Sequence, residues 1–152
     1  MTPRFNKARD IRFFETISRE LVDEVIKTKV VLYKLVISDV KTNIYGESLN
    51  KTYYKPIETT AIIERDDTEA NYEGLGPDSG QSVEFRFNRF TLRENDFYPE
   101  IGDIIHHNNA YFEISNVRED QLIGGMTDER FSIICSTFMT RRSSLNIEPR
   151  NI

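Results

Sequence analysis

The clearest hydrophobic pattern in the chain is a helical stripe near the N-terminus. Its apolar positions recur at steps of three and four residues. They are Phe14, Ile17, Leu21 and Val25, and the stripe is widened by Phe13, Val22 and Ile26. Asp10 precedes the stripe, and we predict the N-cap there because its short side chain can accept from the first backbone donors. Lys27 and Lys29 follow the stripe, where the helix dipole favours cations. The pattern predicts a helix over residues 10–29.

Beyond this helix, the pattern changes to short apolar or alternating runs. Val30–Ser38 is β-branched and apolar, as in a strand buried on both faces. Ser82–Asn88 alternates between apolar and polar residues. Its apolar residues should therefore share a buried face with the hairpin residues Phe112 and Ile114; they are Val83, Phe85 and Phe87. The remaining predicted strands cover residues 59–66, 103–107, 111–117 and 131–139.

This succession of elements defines the expected fold class. Roughly six strands separated by turn signals predict a mainly β protein, a small β-barrel or sandwich with one N-terminal α-helix. Strands and helices do not alternate, so a doubly wound parallel sheet is not expected. A chain of 152 residues is most simply a single domain. We therefore predict one β-rich domain over residues 1–152 with basic N- and C-terminal extensions.

Two polar segments interrupt the strand pattern, Thr42–Tyr54 and Asp66–Gln81, and both are predicted as loops. The second contains three glycines, one proline and five acidic side chains. Loops of this length in compact domains are usually functional or disordered. We predict that this one becomes ordered only in an assembly, where a neighbour would contact Tyr72 and Leu75.

Charge is distributed unevenly along the chain. The net charge is −5, but residues 1–14 carry +3 and residues 140–152 carry +2, so the remainder carries −10. An acidic body disfavours tight binding to a phosphate backbone. The basic ends are interpreted as docking arms for an acidic neighbour. Their cationic residues include Arg4, Lys7, Arg9, Arg141 and Arg142.

The sequence indicates neither a membrane span nor a secretory signal, because no apolar run approaches the length of a span. Cys135, the single cysteine, lies in an apolar run and is predicted to be a buried, inert thiol.

The doubled histidine at His106 and His107 is the first candidate for chemistry. Adjacent side chains on a strand point to opposite faces, so the two cannot bind one metal together. A zinc site needs about four ligands, and the chain has no further histidine. The segment His106–Ala110 is interpreted as a polar turn, since asparagine tolerates a left-handed backbone. With no nucleophile–base set and no phosphate-binding loop in the sequence, we predict no catalysis, no metal and no cofactor.

Two blocks of sequence resemble the neck, or head-completion, proteins of contractile-tailed bacteriophages. The downstream block is the hairpin "YPEIGDII…AYFEISNV", matching at Pro99, Gly102, Asp103, Ile104, Ile105, Phe112, Glu113, Ile114 and Val117. The upstream block begins "NIYGESLNKTYY", matching at Tyr45, Gly46, Glu47, Leu49 and Lys51. The blocks occur in the family's order, and the resemblance covers roughly residues 40–139.

The resemblance implies a non-enzymatic virion protein, assembled in the host cytoplasm. It would form a homo-oligomeric ring, expected to be a hexamer, between a portal-side adaptor and the tail terminator protein. Such a ring closes the filled head, offers the tail attachment surface, and lets DNA pass without sequence-specific binding. The candidate ring and partner contacts are Arg4, Lys7, Arg9, Tyr45, Glu47, Tyr72, Leu75, His106, His107, Arg141 and Arg142.

Two alternatives stay open at this point. A tail terminator, or another ring of the tail tube or baseplate, fits the same size and β-rich pattern. A small β-barrel enzyme or a host-directed hydrolase inhibitor belongs to a different class, and it would be absent from purified virions.

Overall fold

A computed structural model of the chain describes residues 8–36, 51–65, 82–119 and 130–140, together with positions 145 and 147. It contains an N-terminal helix, seven strands and one further short helix among these residues. The mainly β class predicted from the sequence is confirmed.

The N-terminal helix α1 spans Ala8–Arg19 and continues as a π-helical segment over Glu20–Ile26. It ends at Lys27, whose φ of 49° is left-handed and whose N–H donates to the Val22 carbonyl at 3.0 Å. The helix is confirmed, but it ends before the predicted residue Lys29, which begins the next strand, and the predicted cap at Asp10 is wrong. Because the helix begins at Ala8, Asp10 lies within its first turn.

The strands form one antiparallel sheet in the order β2-β1-β5-β6-β7-β4-β3. Their bounds are β1 Lys29–Tyr33, β2 Ile57–Thr60, β3 Ile62–Arg65, β4 Ser82–Asn88, β5 Ile104–His107, β6 Ala110–Glu119 and β7 Ser132–Thr140. Between β4 and β5, the short helix α2 spans Arg89–Glu94, and the Asn88 side chain caps it by accepting from the Phe90 N–H at 2.9 Å.

The edge strands β2 and β3 are consecutive in the chain and are separated by Ala61 alone. The sheet must therefore fold over so that its two edges meet at this residue, which is fully buried and donates its N–H to the Thr28 carbonyl at 3.0 Å. The result is sandwich-like and is not closed into a barrel. The single strand predicted over residues 59–66 is thus two strands that face different neighbours.

The core lies between the folded halves of the sheet. Phe85 is fully buried and its ring meets the Phe112 ring edge-on at 5.3 Å. The same buried cluster contains the other residues predicted for this face, which are Val83, Phe87 and Ile114. The prediction of which side chains of β4 and of the hairpin face the core is therefore confirmed.

Two predictions after β1 need correction. The strand predicted over Val30–Ser38 ends at Tyr33. The following residues pair with part of the segment predicted as a loop: Leu35 and Tyr53 form an isolated antiparallel bridge, and the Val36 N–H donates to the Thr52 carbonyl at 2.9 Å. Residues 42–50 of that predicted loop, and all of Asp66–Gln81, lie outside the described residues.

Candidate functional site

The two histidines are not the bend of the hairpin. They are the last residues of β5, and the turn itself is Asn108–Asn109, with φ of 52° and 62°. The positive φ angles of the asparagines agree with the predicted role of these residues. The interpretation of His106 and His107 as turn residues is corrected, because both lie in β5, where their side chains are partly exposed.

Each histidine has a separate aromatic neighbour. His106 stacks on Tyr111 at 4.6 Å between ring centroids. His107 meets the edge of Phe85 at 6.4 Å, and its Nδ1 lies 3.2 Å from the Lys29 carbonyl. Among the described residues, no three His, Cys, Asp or Glu side chains converge in a way that could hold a metal ion.

One of the other candidate contacts lies on the N-terminal helix. Arg9 is exposed on α1. The remaining ones lie outside the described residues; they are Arg4, Lys7, Tyr45, Glu47, Tyr72, Leu75, Arg141 and Arg142.

The Gly102–Asp103 pair of the downstream block forms a tight, buried turn before β5. Gly102 has a φ of 94°, and a Cβ added there would lie 3.1 Å from Leu35 Cδ2. A side chain at this position would thus meet both an unfavourable backbone angle and a crowded neighbour. The Gly102 N–H donates to the Ile114 carbonyl and the Ile114 N–H to the Asp103 carbonyl, both at 2.9 Å, so this turn anchors β6.

The Asp103 side chain is only 2% exposed, and its oxygens are all engaged. Oδ1 accepts from the Leu35 N–H at 2.9 Å, while Oδ2 accepts from the Glu100 N–H at 2.8 Å and from Lys34 Nζ at 3.1 Å. A buried carboxylate with this many donors is a structural hub, because it satisfies backbone groups of two chain segments. Sequence reasoning treated Asp103 only as part of a strand entry and missed this role.

The two resemblance blocks meet on the sheet face opposite the core. Lys51 Nζ of the upstream block donates to Glu113 Oε1 of the downstream block at 2.6 Å. Glu113 points away from Phe112 and Ile114, as its position in the alternation predicts. The Tyr53 hydroxyl is buried nearby without a hydrogen-bond partner among the described residues. Burial, then the negative charges of Glu113 and Asp103, raises the pKa of this phenol well above its usual value.

Helix α1 presents its apolar side to solvent. We call this surface the α1 apolar face. Its six large side chains are between 41% and 70% exposed; they are Phe13, Phe14, Ile17, Leu21, Val25 and Ile26. The apolar stripe predicted from the sequence is thus present on the helix, but it does not pack on this subunit's core. Within the helix, Val22 is the buried apolar residue.

The opposite, polar side of the helix attaches it to the body. Asp23 accepts hydrogen bonds from the hydroxyls of Thr60 in β2 and Thr91 in α2. Arg19 forms a two-pronged ion pair with Glu94 at 2.8 and 2.6 Å. Because these contacts fix the orientation of the helix, the apolar face is held outward by the fold itself.

A second polar cluster lies at the end of β6. Glu119 accepts from Arg130 Nη1 and from the Tyr98 hydroxyl, each at 2.8 Å, and Arg89 lies 4.0 Å away. Burial alone would raise the pKa of Glu119, but these hydrogen bonds and the two positive charges hold it below its usual value. The hydrogen bond to Glu119 raises the pKa of Tyr98 in turn, and burial adds to this shift.

Cys135 is fully buried in β7, and burial raises the pKa of its thiol to about 12. The predicted buried thiol is confirmed, and at neutral pH it lacks the thiolate that reactive cysteines need.

The chain matches no protein-family model and no curated protein. Within the residues that the structure describes, neither helical segment combines the length and apolar character that a membrane span requires.

Proposed function

We propose that this chain is a structural subunit of the neck of a contractile-tailed bacteriophage. It forms a ring between the portal-side adaptor and the tail, closes the filled head and presents the surface to which the tail attaches. The resemblance of residues 40–139 supports the family, and the sandwich-like β fold with a peripheral helix is compatible with it.

The observation on which the proposal rests is the α1 apolar face. Six large apolar side chains on one helix are exposed, while polar contacts from Arg19 and Asp23 hold the other side to the body. Contiguous apolar surface of this kind marks an interaction site. The apolar face would be covered when the subunit packs against another copy of the protein. A subunit with such an uncovered face fits a component of an assembly better than a freely diffusing enzyme.

The distribution of charge supports the same proposal. The part of the chain between the basic ends carries −10. Like charge would keep DNA from adhering to a ring while the DNA passes through it. Ring subunits contact each other through two different patches, and the α1 apolar face would be one of them.

The test is deletion of the gene in the phage that encodes it. We expect the deletion mutant to produce heads that have packaged DNA, whether they retain or leak it, and that lack tails, alongside complete free tails. In the wild-type phage, we expect mass spectrometry to find the protein in purified heads. Tails of abnormal length, with the protein found on isolated tails, would instead identify a tail terminator or another tube or baseplate ring. Absence from purified virions would contradict both structural roles.

A further inference from the structure

A pocket beside α2 is lined by two arginines and by three apolar side chains. Its volume is about 280 Å³, and its described lining consists of Arg89, Leu92, Arg93, Asp96, Phe97, Tyr98 and Ile133. Leu92, Phe97 and Ile133 are buried and form an apolar floor. Arg93, Asp96 and Tyr98 are exposed at the rim.

The two arginines of the pocket have donors to spare. The Arg93 guanidinium makes no hydrogen bond or ion pair with another described residue. With the described residues, Arg89 forms one side-chain ion pair, the long contact of 4.0 Å to Glu119 Oε2, and that oxygen already accepts from Arg130 at 2.8 Å. The other oxygen of Glu119 accepts from Tyr98. Glu119 thus bonds more closely to Arg130 and Tyr98 than to Arg89, and the Arg89 guanidinium keeps N–H donors that no described residue accepts.

A third guanidinium lies next to this pair. Arg130 Nε is buried and has no hydrogen-bond partner among the described residues. Among the described residues, the three arginines face two carboxylates, Glu119 and the exposed Asp96, so the described part of this corner carries more positive than negative charge. Guanidinium groups bind carboxylates through paired N–H donors, which gives such a site directional preference.

We propose that this pocket binds an acidic peptide segment of a partner protein, with a Glu or Asp carboxylate between Arg89 and Arg93 and a neighbouring apolar side chain on Leu92, Phe97 and Ile133. A nucleic-acid phosphate fits less well, because a backbone phosphate brings no apolar group to this floor. The site is separate from the α1 apolar face and does not depend on the neck assignment.

The experiment uses the full ¹⁵N-labelled chain and two peptides, acetyl-Ala-Phe-Glu-Ala-amide and its isosteric Gln counterpart. We expect saturable shifts of the Leu92, Phe97 and Ile133 amide signals with the Glu peptide. The affinity for the Gln peptide should be lower by a factor of about five or more, because a partly screened charge-assisted hydrogen bond contributes about that much. Arg93→Gln, an exposed change, should produce a similar loss, and Arg89→Gln should add to it.

Arg12→Gln is the matched control, since it removes an exposed arginine from α1 and should leave binding unchanged. Equal affinities for the Glu and Gln peptides, no saturable shift, or an equal loss with Arg12→Gln would overturn the proposal. A short DNA duplex that shifts the same amides more strongly than the Glu peptide would also overturn it and would assign the pocket to phosphate.

Discussion

The Lys51 ammonium lies 2.6 Å from the Glu113 carboxylate and joins the segment before β2 to strand β6. The Lys51 and Glu113 side chains are 26% and 18% exposed, so solvent screens this pair less than an ordinary surface ion pair. The pair holds the extended segment that contains Tyr53 against the outer face of the sheet.

A double-mutant cycle with Lys51→Met and Glu113→Gln should measure this contact. We expect a coupling energy of roughly 1–2 kcal/mol in urea unfolding, as found for partly buried neighbours. The Lys29–Glu58 pair is the control, because its side chains are 64% and 55% exposed at a similar distance of 2.7 Å. Its coupling should stay below about 0.5 kcal/mol. Equal couplings for the two pairs would show that the burial of Lys51 and Glu113 has no energetic effect.

Asp103→Asn should be among the most destabilising single-atom changes in the chain. The amide retains one acceptor oxygen, while its NH₂ group would face either the Leu35 N–H or the donors from Glu100 and Lys34. Leaving buried donors unpaired costs about 2–4 kcal/mol in unfolding free energy. Asp96→Asn, at an exposed position, should change stability by less than about 0.5 kcal/mol. A small effect at Asp103 would mean that water can replace the carboxylate.

Local alternation predicted the core well. The parity of Ser82–Asn88 placed Phe85 inside because each strand has only two faces, and the hairpin parity put Glu113 outside for the same reason. The pattern could not predict the break at Ala61, because the run Thr59–Asp66 contains no glycine or proline to mark a turn. Its two halves are distinguished by the strands with which they pair.

The surface that the apolar stripe of the helix meets could not be predicted from the sequence. Periodicity identifies an apolar face but not the surface that this face meets. Here the contacts of Asp23 with Thr60 and Thr91 decide the orientation, and residues so far apart in sequence give no pairing signal in a single chain. The sequence likewise gave no sign of the contact of Asp103 with the Leu35 N–H, because the two residues are 68 positions apart.

Phe85→Ala should cost about 3–5 kcal/mol, the usual range for a buried phenylalanine. Its ring is fully buried and contacts both Phe87 and Phe112. Phe138→Ala is the matched control in the neighbouring strand β7, where the side chain is 43% exposed, and it should cost less than about 1.5 kcal/mol. Chemical denaturation of both variants gives the comparison, and a similar loss for each would contradict the assigned core.

Glu119 should contribute to the loss of stability in acid. Its pKa in the folded state lies below the ordinary value of 4.5, so its contribution is present above that pH and disappears as pH falls through the folded-state pKa. The difference in unfolding free energy between the wild type and Glu119→Gln should therefore shrink as the pH is lowered below about 4.5. Glu64→Gln, which removes an exposed carboxylate, controls for loss of one charge. A pH-independent difference at Glu119 would contradict the lowered pKa.

The α1 apolar face should affect assembly and leave the fold of the subunit intact. Phe13 and Val25 are 60% and 70% exposed, so the double change to serine removes little buried surface and should lower the unfolding free energy of the subunit by less than about 1.5 kcal/mol. Loss of self-association is nevertheless expected, measured as a fall in mass by light scattering at matched concentration. Val22→Ser is the control on the buried side of the same helix, at 6% exposure, and should cost about 1–3 kcal/mol. A double variant that keeps the wild-type mass, or one that unfolds as readily as Val22→Ser, would show that this face does not join subunits.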